Sequence, residues 1–158
     1  SEMCIRDRSK YEVHMTEQIG ILLKNLNNDL QRYSDREAKK MGITQVQMSI
    51  IDFIYRNEAN RELHQTDVEQ EFNIQKSSVT ALLQLMEKKS LIVRAPSKQD
   101  SRYKILLLTA KARKLAKRIR AFYDQNETEI RNILGDDSEK FIKDVVNLRQ
   151  FLTSRLDQ

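Results

Sequence analysis

At 158 residues, with 39% hydrophobic and 32% charged side chains, the chain is long enough to bury a core and too apolar to be disordered. Three glycines and one proline exclude a loop-rich or β-rich fold and favour long helices. The net charge of +5 is uneven: residues 73–120 hold 13 Lys/Arg against 2 Asp/Glu, a local +11, while the remainder carries −6. A basic block in an otherwise acidic chain is the electrostatic footprint of a nucleic-acid partner. The plainer alternative, a solvated helix face, suits Lys111 to Arg120 but explains the cations at 94–104 less well.

Residues 1–10, SEMCIRDRSK, have no helical periodicity, and SEMCIRDR resembles translated adapter sequence, so they read as a non-native or disordered lead. A long helix is predicted from Thr16 to Lys40, with Ile19, Leu22, Leu23, Leu26, Leu30 and Tyr33 as its apolar stripe and Gly42 as a left-handed stop. Thr44 and Gln47 make a capping box for a second helix to about Arg56, apolar on more than one side through Val46, Ile50, Ile51, Phe53 and Ile54. Asn57 to Arg61 reads as a polar turn and Leu63 as a brief extended piece. A short helix then runs from about His64–Thr66 to Phe72, with Val68 and Phe72 inward. Asn73 tolerates the left-handed backbone that a tight bend needs.

The next helix buries Val79, Leu82, Leu83 and Met86 and turns Gln75, Lys76, Ser77, Ser78, Thr80 and Gln84 outward. Two helices joined by a short bend are a helix-turn-helix. Leu91–Ala95 and Lys104–Thr109 read as strands around the polar turn Pro96–Arg102, making a basic hairpin, or wing. Thr109 opens a long helix to Leu134, buried through Leu115, Ile119, Phe122, Ile130 and Ile133 and closed by Gly135. Asp136 with Glu139 is expected to cap a last helix, striped by Phe141, Val145, Leu148 and Leu152 and flanked by Ile142 and Val146. The terminal helices carry more apolar surface than one compact core can use, which predicts a homodimer in which they interlock.

The wing and helix supply the candidate site. Ser77, Ser78 and Thr80 near a helix start can bond phosphate or base edges, although capping alone accounts for the serines too. Gln75 or Gln84 can pair with an adenine edge. Arg102 at the hairpin tip suits a narrow minor groove, and Asp100 is expected to hold Arg102 or Arg94 by a bidentate salt bridge. Lys98 and Lys104 suit phosphate, and Arg94 suits either phosphate or base. Other chemistry has little to stand on. No nucleophile grouping or phosphate-cradling glycine loop is present, and His14 and His64 are far apart with no metal-ligand spacing, so no enzyme, cofactor or metal is expected. No apolar run reaches the length of a membrane span and no segment has the build of a secretory signal. The single cysteine, Cys4, cannot close an internal disulfide, so a cytoplasmic protein is expected.

With these motifs placed, the chain resembles the MarR family of bacterial winged helix-turn-helix repressors from Thr16 to Leu152. The resemblance is carried by Ile43-Thr44-Gln45, by Ser78-Val79-Thr80, by the run from Leu85 to Arg94, and by Asp100-Ser101-Arg102 followed by Leu108-Thr109. The chain departs from the family at Ser90 and Ala112, where glycine is usual, and at Ala81, where a basic residue is frequent. Ser90 is therefore expected to accept a strained backbone, at about 1 kcal/mol.

The resemblance implies a mainly α fold with a small β-hairpin wing, a winged helix-turn-helix with long N- and C-terminal dimerisation helices. In domain terms, a single unit spans 11–158, with dimerisation helices at 11–42 and 110–158 and a DNA-binding lobe at 43–109. It also implies a homodimeric repressor on a pseudo-palindromic duplex, released by a small effector lodged between the dimer helices and the DNA-binding lobe. Tyr33, Arg36, Met41, Met48 and Tyr55 lie on helices that could line such a pocket or serve as ordinary core and surface. The alternatives are a winged-helix module that binds a protein instead of DNA, and an activator on the same fold.

Overall fold

A computed structural model of the chain describes residues 18–157. The expectations for residues 1–10, Cys4, His14 and a helix start at Thr16 fall outside them. The described residues fall into two units, divided between Ser49 and Ile50.

The first unit holds α1 (Ile19–Lys40) and the start of α2 (Gln45–Asn57). Gly42 has φ +73°, the Gly42 N–H donates to Lys39 O and the Ile43 N–H to Ala38 O. These bonds form a Schellman stop, which a left-handed glycine makes cheaply. The capping box that opens α2 is complete. Thr44 Oγ1 accepts from the Gln47 N–H at 3.2 Å, and Gln47 Oε1 accepts from the Thr44 N–H at 3.1 Å. The apolar stripe of α1 is largely uncovered: Ile19, Leu22, Leu26, Leu30 and Tyr33 are all exposed, and Ala38 is the buried residue of the helix. Val46, one of the residues that make the second helix apolar on more than one side, is exposed too.

The second unit carries the rest of α2, then α3 (Gln65–Phe72), α4 (Lys76–Lys88), β1 (Ile92–Pro96), β2 (Lys104–Leu108), α5 (Ala110–Leu134), a 3₁₀ turn (Gly135–Asp137) and α6 (Ser138–Leu156). Its core is Ile50, Ile51, Phe53, Ile54, Leu63, Val68, Val79, Leu83, Met86, Leu91, Ile92, Ile105, Leu106, Leu108, Ala112, Ala116 and Ile119. Phe53 and Phe72 meet edge to face at 5.9 Å, fastening α2 to α3. Asn73 takes the left-handed conformation at φ 49°, as the bend requires. Ser90 does the same at φ 57° and closes α4 with Ser90 N–H to Glu87 O and Leu91 N–H to Met86 O.

The two strands pair antiparallel in the register Ile92↔Leu108 to Pro96↔Lys104, with Pro96 in the last pair of the ladder, beside the turn. Leu63 is extended against this hairpin, its carbonyl accepting from the Leu106 N–H at 2.8 Å. Thr109 caps α5 by accepting from the Ala112 N–H, and its hydroxyl donates to Ser90 O at 2.7 Å, tying the end of the hairpin to its beginning.

Two expectations for the C-terminal helices fail. Ile133 is 83% exposed because the buried side of α5 runs through Ala112, Ala116 and Ile119 and fades toward its end. Asp136 and Glu139 form no cap, because residues 135–137 continue from α5 as a 3₁₀ turn and Ser138 Oγ bonds Gly135 O instead. Phe141, Ile142, Val145, Val146, Leu148, Phe151 and Leu152 of α6 all remain exposed. Among the described residues, no helix is long and apolar enough to cross a membrane.

Candidate nucleic-acid interface

The outward face of α4 begins with Gln75, Lys76, Ser77 and Ser78, all exposed, in the first turn where N–H groups lack helical partners. Gln75 is the capping residue but makes no side-chain cap, so its amide is free to turn outward. Gln84 is exposed two turns further along. Thr80 differs from the others. It is half-buried, its hydroxyl donates to Lys76 O at 2.9 Å and it accepts from Gln65 Nε2 at 2.8 Å. Its hydrogen-bonding capacity is mostly spent on binding α3 to α4.

At the wing tip, Arg102 and Asp100 form a fork. Arg102 Nε lies 3.0 Å from Asp100 Oδ1 and Nη2 lies 2.7 Å from Oδ2, while the Arg102 N–H donates to Oδ1 at 3.1 Å. The guanidinium side chain is nonetheless 83% exposed. The Arg102 bonds hold the Asp100 carboxyl below the usual carboxylate range and push the guanidinium further up. Of the two arginines offered as the partner of Asp100, Arg102 is the one it holds.

Arg94 is engaged elsewhere. Its side chain is about a quarter exposed, with Nε 3.3 Å from Glu87 Oε1 and Nη1 3.5 Å from Gln65 Oε1. Lys76, Lys98 and Lys104 are exposed and enter no salt bridge among the described residues. A cleft of about 680 Å³ separates the start of α3, the start of α4 and the wing, lined among others by Gln65, Lys76, Thr80, Arg94 and Asp100.

Two residues that the sequence pattern did not single out hold this surface together. Gln65 joins Thr80 to Arg94, and Glu62 receives the base of the wing turn: Ser97 Oγ donates to Glu62 Oε2 at 2.5 Å and the Lys98 N–H to Oε1 at 2.8 Å. Both partnerships span long stretches of sequence, so no local motif announces them. Asp67 carries a third structural pairing. Burial raises its pKa, but bonds from Arg61 and the His64 N–H outweigh that and lower it overall.

Of the residues suggested for an effector pocket, Met48 is fully buried, Met41 and Tyr55 are half-buried, and Tyr33 and Arg36 are exposed. No group of three His, Cys, Asp or Glu among the described residues is gathered for a metal.

Residues 41–102 match the model of the MarR family. The crystal structure of the transcription regulator MarR from Oenococcus oeni PSU-1 is 39% identical, covers 89% of this chain and all of its own, and superposes with a TM-score of 0.76. The chain belongs to the MarR family. The fold is shared more distantly with MepR of S. aureus. Its DNA complex is 23% identical over 87% of this chain and 96% of that one, with a TM-score of 0.75. A second MepR structure, described as a transcription regulator of the multidrug efflux pump MepA, is also 23% identical over 87% of this chain and 98% of that one, with a TM-score of 0.65. A comparison with curated proteins returned no match. The family match thus overlaps the basic segment picked out by charge, which includes α4 and the wing and runs on into the start of α5.

Proposed function

We propose that this MarR-family chain is a sequence-specific, double-stranded-DNA-binding transcription regulator that works as a homodimer. The observation that carries the reading is the Asp100–Arg102 fork, which offers an exposed arginine in one fixed orientation at the tip of a hairpin beside α4. An arginine so held loses little conformational freedom on entering a narrow minor groove, where the potential is most negative. The open first turn of α4, with Gln75, Lys76, Ser77 and Ser78 outward, supplies the complementary contacts for a major groove. Lys98 and Lys104 flank the fork as phosphate contacts.

The dimer rests on the uncovered apolar residues of α1 and of α6, too many for exposed surface on a stable monomer. A two-fold pair of α4 helices would meet a pseudo-palindrome with half-sites about one helical turn apart. By family likeness the regulator is a repressor, released by a small effector that binds the DNA-incompetent state more tightly. Selecting bound sequences from random duplexes tests the reading: a two-fold-symmetric consensus is expected, and recovery of no consensus would refute it. Addition of aromatic anions to the selected complex then tests the release step.

A further inference from the structure

We infer that Glu62 is a positioning residue for the wing, a fixed post to which the base of the hairpin turn is tied so that the Asp100–Arg102 fork points one way. The inference rests on the DNA-binding reading for its consequence, though not for the latch itself. Glu62 sits in the short connection between α2 and α3, and its two neighbours are both anchored. Arg61 Nη1 bonds Asp67 Oδ1 at 2.8 Å, and the buried Leu63 accepts from the Leu106 N–H at 2.8 Å. With Leu63 turned inward and Arg61 fastened to α3, the carboxylate between them has little freedom to move.

Both carboxylate oxygens are used on the wing. Oε2 accepts a hydrogen bond from the Ser97 hydroxyl and Oε1 one from the Lys98 N–H. Ser97 is itself buried, and its Oγ accepts from the Gln99 N–H at 3.1 Å and the Asp100 N–H at 3.3 Å. The chain of bonds therefore runs from Glu62 through Ser97 to the backbone of Asp100, whose carbonyl accepts from Tyr103 N–H and whose side chain holds Arg102. A serine oxygen that already accepts two hydrogen bonds has only its own O–H left, and that donor needs an acceptor. The carboxylate meets this need and the Lys98 N–H together; an amide cannot, because its NH₂ must face one of two donors.

Glu62→Gln, which keeps the shape and removes the second acceptor, is the test, read in two ways on the full chain. In free protein, amide hydrogen exchange at Lys98, Gln99 and Asp100 is expected to speed up about five- to tenfold, the factor that one lost hydrogen bond is worth, while core amides of α4 stay unchanged. On a selected duplex, hydroxyl-radical protection at the wing's contact is expected to fade while protection under α4 persists. Lys98→Ala, which retains the backbone donor, should leave the exchange rates as they are, and Glu62→Gln added to Ser97→Ala should change little further. Unchanged exchange in Glu62→Gln would overturn the latch. Faster exchange with full protection of DNA at the wing would overturn its role in positioning the fork. Failure of the unaltered chain to bind any duplex would instead sink the DNA reading, with exchange still deciding the latch.

Discussion

Replacing Lys98 with alanine is expected to flatten the salt dependence of duplex binding without changing which sequence is preferred. Lys76, Lys98 and Lys104 are exposed and free of salt bridges among the described residues, and Arg102 is exposed although tied to Asp100. If these four side chains reach phosphate or groove in each protomer of a dimer, log K should fall against log salt with a slope of about −7, at roughly −0.9 per neutralised phosphate. Lys98→Ala removes one contact per protomer, so the slope should move about 2 units toward zero. The affinity gap from the unaltered protein should narrow as salt rises.

Arg102→Ala should act differently, costing roughly 5- to 150-fold in affinity for the selected sequence, because a shaped groove contact goes as well as a charge. It also strips Asp100 of its partner, leaving a bare carboxylate facing phosphate. The double variant Asp100→Ala/Arg102→Ala should therefore bind better than Arg102→Ala alone. Fluorescence anisotropy across a potassium chloride series reads all of these. An Arg102→Ala protein that binds like the parent, or a Lys98→Ala slope equal to the parent's, would refute the wing assignment.

Ser90→Gly should stabilise the fold by about 0.5–1 kcal/mol, since left-handed strain of roughly 1–2 kcal/mol is relieved at the expense of glycine's extra unfolded freedom. Thermal unfolding should then shift upward by a few degrees, and a lower midpoint would count against the strain at φ 57°. A charge placed in the uncovered face of α6 by Val145→Asp should shift sedimentation from dimer toward monomer and weaken duplex binding with it; an unchanged dimer would exclude α6 from the interface. Acid should loosen the wing only at unusually low pH. The Ser97 hydroxyl first, then the Lys98 N–H and the charges of His64 and Lys98, hold the Glu62 pKa below the glutamate range, and Arg102 holds that of Asp100 down. A carboxylate whose folded pKa is depressed contributes above its unfolded pKa and loses that contribution as pH falls through the folded value. Carboxyl titration by NMR should find Glu62 still ionised where a free glutamate is half protonated, and an ordinary or raised midpoint would contradict the latch.

How far the sequence disclosed this surface depended on how local the determining contacts are. The Thr44–Gln47 box, the left-handed Asn73, the Gly42 stop and the Asp100–Arg102 fork all lie within a few residues of their partners, and each could be read from spacing and residue type, whereas the left-handed Ser90 was expected only from the family resemblance. Thr80 and Arg94 could not. Their outward positions in the pattern suggested contacts to DNA, yet Gln65 and Glu87 occupy them, and which polar residues meet across α3, α4 and β1 is set by packing. The same limit hid Glu62, which lies 35 residues before Ser97. Ile133 failed for another reason: the helical period identifies an apolar face but not whether this chain covers it; and the cap at Asp136 failed because residues 135–137 run on from α5 as a 3₁₀ turn, which spacing alone does not show.

The carboxylates of the wing surface give the arrangement its logic. An acidic residue beside a DNA-facing patch would ordinarily weaken it, since a bare carboxylate repels phosphate and draws the neighbouring potential down. Here Glu87 is spent on Arg94, Asp100 on Arg102, and Glu62 on Ser97 and the Lys98 N–H. Each negative charge fixes a donor, and the lysines that make no salt bridge stay exposed, where the proposed phosphate contacts would form. The price of three anions in a cationic surface is a lower local charge; what they provide is a wing whose backbone and arginine are ordered before DNA arrives. Binding then has less conformational entropy to overcome, because an unlatched hairpin tip would have to order several residues at about 1–2 kcal/mol of backbone freedom each. On this view adding positive charge by removing an acid should weaken binding, not strengthen it. Glu62→Gln and Glu87→Gln both raise the net charge by one, so simple electrostatics predicts tighter binding for both, whereas preorganisation predicts weaker binding. Affinities measured for the pair at one salt concentration decide between the two.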